Sequence, residues 1–208
     1  MRLQRSSGLV GHWKFNEKSG IIANDSSRYR NTGTLVGATH LPVWADKGIK
    51  FDGVDDYVDC GNNASLNITN AITVEAWVKP STTTGEKFIL SKGSQKYALE
   101  QNVGKFRSII YNNSYTYLTS TTSYISGNWY HVVLTYDRVN EKIYINGILE
   151  NSLSQTDAIQ TTVSSLQIGA LTSALFFSGS IDEVRIYNRA LSAAEIKRHY
   201  EATKHNYI

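Results

Sequence analysis

The sequence predicts an all-β fold, two antiparallel sheets packed as a sandwich with one short helix at the C-terminal end. Three observations carry this. Thirteen short apolar-alternating runs recur along the chain, separated by clusters of Gly, Asn, Asp and Ser. No helical periodicity intervenes between them, and strands at such spacing mark a sandwich or barrel. Ser192 and Glu195 then form an S-x-x-E capping-box pattern that opens a helix over SAAEIKRHYEATK.

The runs, in order, are LVGHWKF, GTLVGA, GIKFDG, YVDCG, ITVEAWVK, KFILSKG, KYALEQ, KFRSIIYN, YTYLTSTT, WYHVVLTYD, KIYINGILE, LQIGA and IDEVRIYN. Alternation is clearest in ITVEAWV, where Ile72, Val74, Ala76 and Val78 take one face and Thr73, Glu75 and Trp77 the other. Asn146-Gly147 inside KIYINGILE fits a type I′ hairpin turn, because both central positions need positive φ. Asp137 to Asn140 reads as a longer polar connection. In the C-terminal helix Ile196, His199 or Tyr200, and Thr203 supply a narrow inner stripe. No linker, low-complexity segment or long repeat interrupts the pattern, so residues 8–208 read as one domain after a short tail, 1–7, of native or added origin.

Composition narrows the function classes. Apolar residues make up 41% of 208 positions, enough for a sizeable core. A net charge of +3 with scattered basic residues argues against nucleic-acid partners, which need a basic face. The short basic tail KRHYEATKH reads as a solvated helix face. No apolar run approaches the ~18 residues of a membrane span, and MRLQRSSGLV lacks the apolar core of a signal peptide. Cys60 is the only cysteine, so no intrachain disulfide forms, and its apolar context reads as a buried inert thiol. Abundant Thr, Ser, Asn and Tyr match an extracellular, cell-surface or virion setting.

Two acidic features bear on chemistry. FDGVDDYVDCG, residues 51–61, gathers Asp52, Asp55, Asp56 and Asp59. It fails the EF-hand pattern, since Gly53 follows Asp52 and no glutamate closes the loop. It reads instead as turn chemistry, with Phe51 and Tyr57 in strands, the Gly53 and Asp55-Asp56 reversal between them, and Asp59 opening the next loop with Gly61. For glycoside hydrolysis two carboxylates must face one another. Adjacent Asp182 and Glu183 are expected on opposite faces of one strand, whereas Glu75 and Glu100 lie on separate strands and leave a cross-strand pair open. The five histidines show no metal spacing, and no nucleophile elbow occurs. A catalytic set is therefore not expected.

Several stretches together resemble one family. GLVGHWKFNEKSGIIANDSSRYRNTGTLVGA, KFDGVDDYVDCG, ITVEAWVKP, NWYHVVLTYDR, KIYINGILE and GSIDEVRIYNRALSAAEI follow the order seen in laminin-G-like, concanavalin A-like lectin/glucanase domains. The resemblance implies a jelly-roll sandwich with adjacent N- and C-terminal strands. It implies no single function, because that fold hosts lectins, carbohydrate-binding modules, glycan-cleaving enzymes, adhesion modules and fibre domains. It also implies one structural calcium near the terminal strands, whose ligands by motif are Asp25, the Asp52-Gly53 turn and Asp182. The competing reading is that Asp25 caps a turn and Asp182 satisfies backbone amides.

Sugar rings stack on aromatic rings while polar groups bond their hydroxyls, which directs attention to NNSYTYLTSTTSY. Tyr115 and Tyr117 share one strand face there, with Tyr111, Asn112 and Asn113 beside them. Trp13, Trp77 and Trp129 fall in strand motifs and are expected in the core, whereas Trp44 is expected on a loop, free to meet a ligand. The expected function is a non-catalytic, calcium-stabilised module that binds glycan or polysaccharide. A structural or adhesive building block that binds other protein surfaces, with oligomers allowed, is the first alternative, and a polysaccharide-cleaving enzyme the second. Neither nucleic acid nor membrane insertion is expected.

Overall fold

The computed structural model describes residues 7–208; positions 1–6 of the expected tail lie outside the described residues. Each of the thirteen runs forms strand. In chain order the strands are β1 (Leu9–Trp13), β2 (Ile22–Ala23), β3 (Gly33–Val36), β4 (Val43–Trp44), β5 (Ile49–Asp52), β6 (Tyr57–Asp59), β7 (Ile72–Pro80), β8 (Glu86–Lys92), β9 (Tyr97–Asn102), β10 (Lys105–Tyr111), β11 (Tyr115–Ser123), β12 (Tyr130–Tyr136), β13 (Asn140–Ile145), β14 (Ile148–Ser154), β15 (Leu166–Ile168) and β16 (Ser178–Tyr187). The helix α1 spans Ala193–Thr203. The two strands the runs did not announce, β2 and β4, are two residues long, too short to show alternation.

Two eight-stranded antiparallel sheets result. Sheet A runs β14-β13-β12-β7-β16-β5-β4, with β1 also paired to β16, and sheet B runs β11-β10-β9-β8-β15-β6-β3-β2. The terminal strands are adjacent, as the resemblance implied. Asn146 and Gly147, at φ 51° and 77°, make the tight β13–β14 turn between the paired Ile145 and Ile148.

Alternation decides what lies between the sheets. Val74, Ala76 and Val78 of β7 meet Leu99 of β9 and Phe106 and Ile110 of β10 in one core, with Trp13 fully buried among them. Toward β13 the core turns polar. Glu141 accepts from Ser108 Oγ (2.6 Å), Thr116 Oγ1 (2.8 Å) and Gln155 Nε2 (2.6 Å), and burial against those bonds pushes its carboxyl up to about 7.

The other face of β7 is covered by α1. Ser192 caps the helix in a complete capping box with Glu195. Ile196 is fully buried with Val133, Tyr144, Tyr187 and Leu191, while His199, Tyr200 and Thr203 reach Glu75 and Trp77. The expected inner stripe is therefore the packed one.

Three expectations change. β5 and β6 do not form a hairpin: Phe51 lies in sheet A and Tyr57 in sheet B, so the intervening aspartates occupy a crossover between sheets. Asp59 ends β6 rather than opening a loop, and its Oδ1 caps Gly61 N at 2.8 Å. Trp129 is half-buried, because the chain there precedes β12 and its ring meets Tyr207 at 5.0 Å instead of entering the core.

Candidate functional site

The outward face of β9, β10 and β11 carries the aromatic surface. Antiparallel register aligns it in rows: Glu100 opposite Arg107 and Arg107 opposite Thr119, then Ala98, Ile109 and Tyr117, then Tyr111 and Tyr115. Directly opposed side chains stand within contact distance in such pairs. Tyr111 and Tyr115 have ring centroids 4.7 Å apart, and Tyr115 and Tyr117 are 6.0 Å apart. Tyr115 is 42% exposed and Tyr117 47%, so the outer ring faces meet solvent.

Charged groups hold this ribbon in place. Arg107 lies 4.6 Å from the Tyr117 centroid and Lys96 Nζ lies 3.9 Å from that of Tyr111, both cation–π contacts. Arg107 pairs directly with Glu100 and reaches Glu86 at 3.4 Å. The Tyr115 hydroxyl donates to Ser94 O at 3.1 Å. On the same outward face, beside the tyrosines, Phe88, Ala98 and Ile109 form a small buried cluster with Leu171 packed on it.

Glu100 is fully buried, and its Oε2 has no hydrogen-bond partner. Burial pushes its carboxyl up to about 8, against the hydrogen bond and charge of Arg107. The folded protein thus holds a proton that the unfolded chain releases near the ordinary carboxylate value. Stability contributed by Glu100 is complete below that value and declines as pH rises toward 8. Urea midpoints are expected to fall between pH 5 and pH 9, and Glu100→Gln to make that fall shallower; equal slopes in both proteins would contradict the assignment.

The structure separates the sequence candidates. Tyr111, Tyr115 and Tyr117 come together. Asn112 does not join them: its side chain turns inward, 5% exposed, and donates to Gln155 Oε1 at 2.7 Å. Asn113 is exposed at the β10–β11 turn with φ 85°. Trp44 is not a free loop residue. It lies in β4 of sheet A, half-buried against the core, and its Nε1 donates to Gly20 O at 2.7 Å. Arg107, Lys96 and Glu100 were not expected at the site. Only Arg107 left a local signal, in KFRSIIY, where it and Tyr111 share a strand face two positions either side of Ile109; its partners depend on strand register.

The acid pairs resolve as well. Glu75 faces outward from sheet A and Glu100 outward from sheet B, with the core between them, so they form no cross-strand pair. Asp182 and Glu183 do share a face, contrary to expectation. A β-bulge between Asp182 and Arg185, with Glu183 at φ 49°, adds a residue and turns both carboxyls to the helix side. Asp182 Oδ2 accepts from the Tyr207 hydroxyl at 2.7 Å, and Glu183 pairs with His12 at 2.8 Å and with Arg185. Burial pushes Asp182 up to about 6, whereas hydrogen bonding from His12 and the Arg185 charge outweigh burial and lower Glu183.

The calcium set implied by resemblance does not fit these residues. Asp25 accepts four donors, His12 N (2.8 Å) and Ser27 N (2.7 Å) on Oδ1, Ser27 Oγ (2.7 Å) and Asn31 N (2.7 Å) on Oδ2. Asp182 is committed to Tyr207 and to Glu183 N. Asp52 pairs with Ser178, four residues before Asp182 on β16, whereas Asp25 bridges Trp13, the partner of Val184. At ~3.3 Å per residue, Asp52 and Asp25 lie about 20 Å apart along one strand. Asp25 caps the turn, and the carboxylates do not converge.

A cleft of about 740 Å³ lies elsewhere, lined by Lys47, Lys79, Trp129 and Tyr207 among others. Tyr207 is already engaged within the chain, stacked on Trp77 at 4.1 Å with Lys47 Nζ 5.8 Å from its centroid. Tyr115 and Tyr117 are exposed whereas Trp129 and Tyr207 are half-buried, so the ribbon is the better candidate for stacking a ligand.

A family model described as the concanavalin A-like lectin/glucanases superfamily matches residues 52–197. No curated protein sequence matches. Solved structures share the fold. The binding domain of Paraclostridial Mosquitocidal Protein 1 superposes with TM-score 0.75 at 17% identity, over 94% of this chain and 52% of that one. Domain 4 of AbnA, an extracellular arabinanase from Geobacillus stearothermophilus solved with arabinotriose, gives 0.71 at 20%, over 93% and 98%. Trypanosoma rangeli sialidase gives 0.72 at 21%, over 95% and 33%. The chain thus spans about half of the first relative and a third of the last, and at these identities the likeness is one of fold.

Proposed function

Because the chain belongs to the concanavalin A-like lectin/glucanase superfamily, we propose that it is a non-catalytic carbohydrate-binding module, displayed on an extracellular or other exposed surface. The ribbon of Tyr111, Tyr115 and Tyr117 with Arg107 and Lys96 is the observation that carries this. Three rings along one strand pair present successive platforms to successive sugar units. Their C–H faces stack on the rings, and Arg107, Lys96 and the tyrosine hydroxyls bond to hydroxyl or carboxylate groups. Cross-strand pairing and cation–π contacts hold the rings before ligand arrives, which lowers the ordering cost of binding. A flat ribbon suits a chain lying along the sheet better than a single sugar enclosed in a pocket. Support also comes from the arabinanase domain of the same fold, solved with arabinotriose.

A glycan array on the purified chain tests this, followed by titration of the best ligand. Tyr117→Ala is expected to weaken binding at least tenfold, equivalent to about 1.4 kcal/mol, with Tyr115→Ala acting in the same direction. Trp44→Phe leaves affinity unchanged. A silent array, or binding that survives both tyrosine substitutions, would overturn the reading.

A further inference from the structure

The acidic stretch at 51–61 takes no part in the ribbon, yet the crossover from β5 to β6 draws it into one cluster. One carboxylate oxygen from each of Asp52, Asp55 and Asp56 lies within 4.8 Å of the other two. Each side chain is anchored by the surrounding chain. Asp52 Oδ1 accepts from Val54 N at 2.7 Å, Asp55 Oδ2 from Thr39 N at 2.9 Å and Thr39 Oγ1 at 2.7 Å, and Asp56 Oδ2 from Asp52 N at 2.9 Å.

The remaining oxygens distinguish this cluster from ordinary turn chemistry. Asp56 is 2% exposed, and its Oδ1 has no hydrogen-bond partner. Asp55 Oδ1 is likewise closed to solvent and unpartnered. Buried polar atoms nearly always find a partner, and a buried anionic oxygen without one is costly. A backbone carbonyl adds to the imbalance. A Cβ on Gly37 would stand 1.6 Å from His40 O and 3.0 Å from Asp56 Oδ1, so only glycine fits between that carbonyl and that carboxylate.

We propose that Asp52, Asp55 and Asp56 form a binding site for a hard divalent cation of the calcium type, with His40 O as a neutral donor and water completing the shell. The donors are all oxygen, which favours calcium over zinc or copper. Two ligands of one calcium ion can stand at most about 5 Å apart, twice the metal–oxygen distance, and the three carboxylates satisfy that limit. The ion neutralises the unpaired oxygens and ties the loop that holds Thr39 and His40 to the crossover joining the two sheets. The site shares only Asp52 with the dispersed set around Asp25 and Asp182, so the two sets make opposite predictions.

Calcium is titrated into chelator-treated full-length protein by calorimetry, with melting temperature followed in parallel. Terbium, excited through the neighbouring Tyr57, provides an optical probe of the same site. Wild type is expected to bind one calcium, to melt higher with it, and to release terbium as calcium is added. Asp55→Asn preserves the Thr39 contacts and is expected to lower calcium affinity at least tenfold, while Asp182→Asn leaves it unchanged. Should Asp55→Asn fail to fold, Asp52→Asn on the exposed side of the cluster replaces it. The proposal is overturned if calcium neither binds wild type nor shifts its melting, if calcium fails to displace terbium, or if Asp182→Asn removes the response while the loop variant keeps it.

Discussion

Glu75→Ala is expected to destabilise the protein by about 3–5 kcal/mol, the cost of removing one partner from a buried ion network. Glu75 is fully buried on the helix-side face of β7. Its Oε1 receives Arg185 Nη1 at 2.6 Å and His131 Nε2 at 3.1 Å, and its Oε2 receives His199 Nδ1 at 2.9 Å. The network continues from Arg185 to Glu183 and from Glu183 to His12. One carboxylate therefore joins β7, β12, β16 and α1. Alanine leaves the Arg185 cation and two imidazoles facing an apolar void, and His131 Nδ1 already lacks a partner. Urea denaturation at neutral pH measures the loss, and a change below about 1 kcal/mol would show that the network relaxes without its centre. Burial alone would raise the Glu75 carboxyl, but hydrogen bonds from His131 and His199 and the charges of His131 and Arg185 hold it well below the usual range. Its contribution is present above the ordinary carboxylate value and is lost as pH falls through the lowered one. Glu75→Gln is therefore expected to flatten the acid side of the stability profile.

This network also shows what the sequence could and could not disclose. The period-two pattern in ITVEAWV correctly put Glu75 and Trp77 on one face and Val74 and Ala76 on the other, because strand geometry fixes alternation locally. It could not say that α1, more than a hundred residues later, covers that face. Trp77 is buried as expected, but beneath the helix rather than between the sheets. The Asp182–Glu183 error has a similar origin: a bulge breaks period two, and nothing in IDEVRIY announces it. For the ribbon, alternation identified Tyr115 and Tyr117, while Arg107 and Glu100 depended on the register of three strands. Asn112 was misplaced because an asparagine next to a turn reads as surface, whereas here it joins the buried polar bonds around Gln155. The four aspartates of FDGVDDYVDCG were visible throughout. The convergence of three of them, Asp52, Asp55 and Asp56, depended on β5 and β6 belonging to different sheets and on the approach of Thr39 from another loop, neither of which is a local property.

Trp77→Ala is expected to cost a further about 3–5 kcal/mol on its own, as for other fully buried large aromatics. The indole is fully buried, stacked on Tyr207 at 4.1 Å and on Tyr200 at 5.8 Å, with the His131 ring at 5.3 Å. Its Nε1 donates to Thr203 Oγ1 at 3.0 Å, so the ring also carries a polar tie to the last turn of α1. Truncation removes the surface that Tyr200 and Tyr207 stack on, and little else can fill the space between β7 and the helix. Since Glu75 holds the same helix through His199, the two substitutions act on one docking event. The double variant is expected to lose less than the sum of the single losses, by about 0.5–3 kcal/mol for groups coupled in this way. Strict additivity would mean that α1 has two independent attachments. The tyrosine ribbon lies on the outer face of the opposite sheet, with the whole core between it and Trp77. Where the Trp77→Ala protein remains folded, its affinity for the array-selected glycan should therefore match wild type, and a parallel loss would show that the two faces are mechanically coupled.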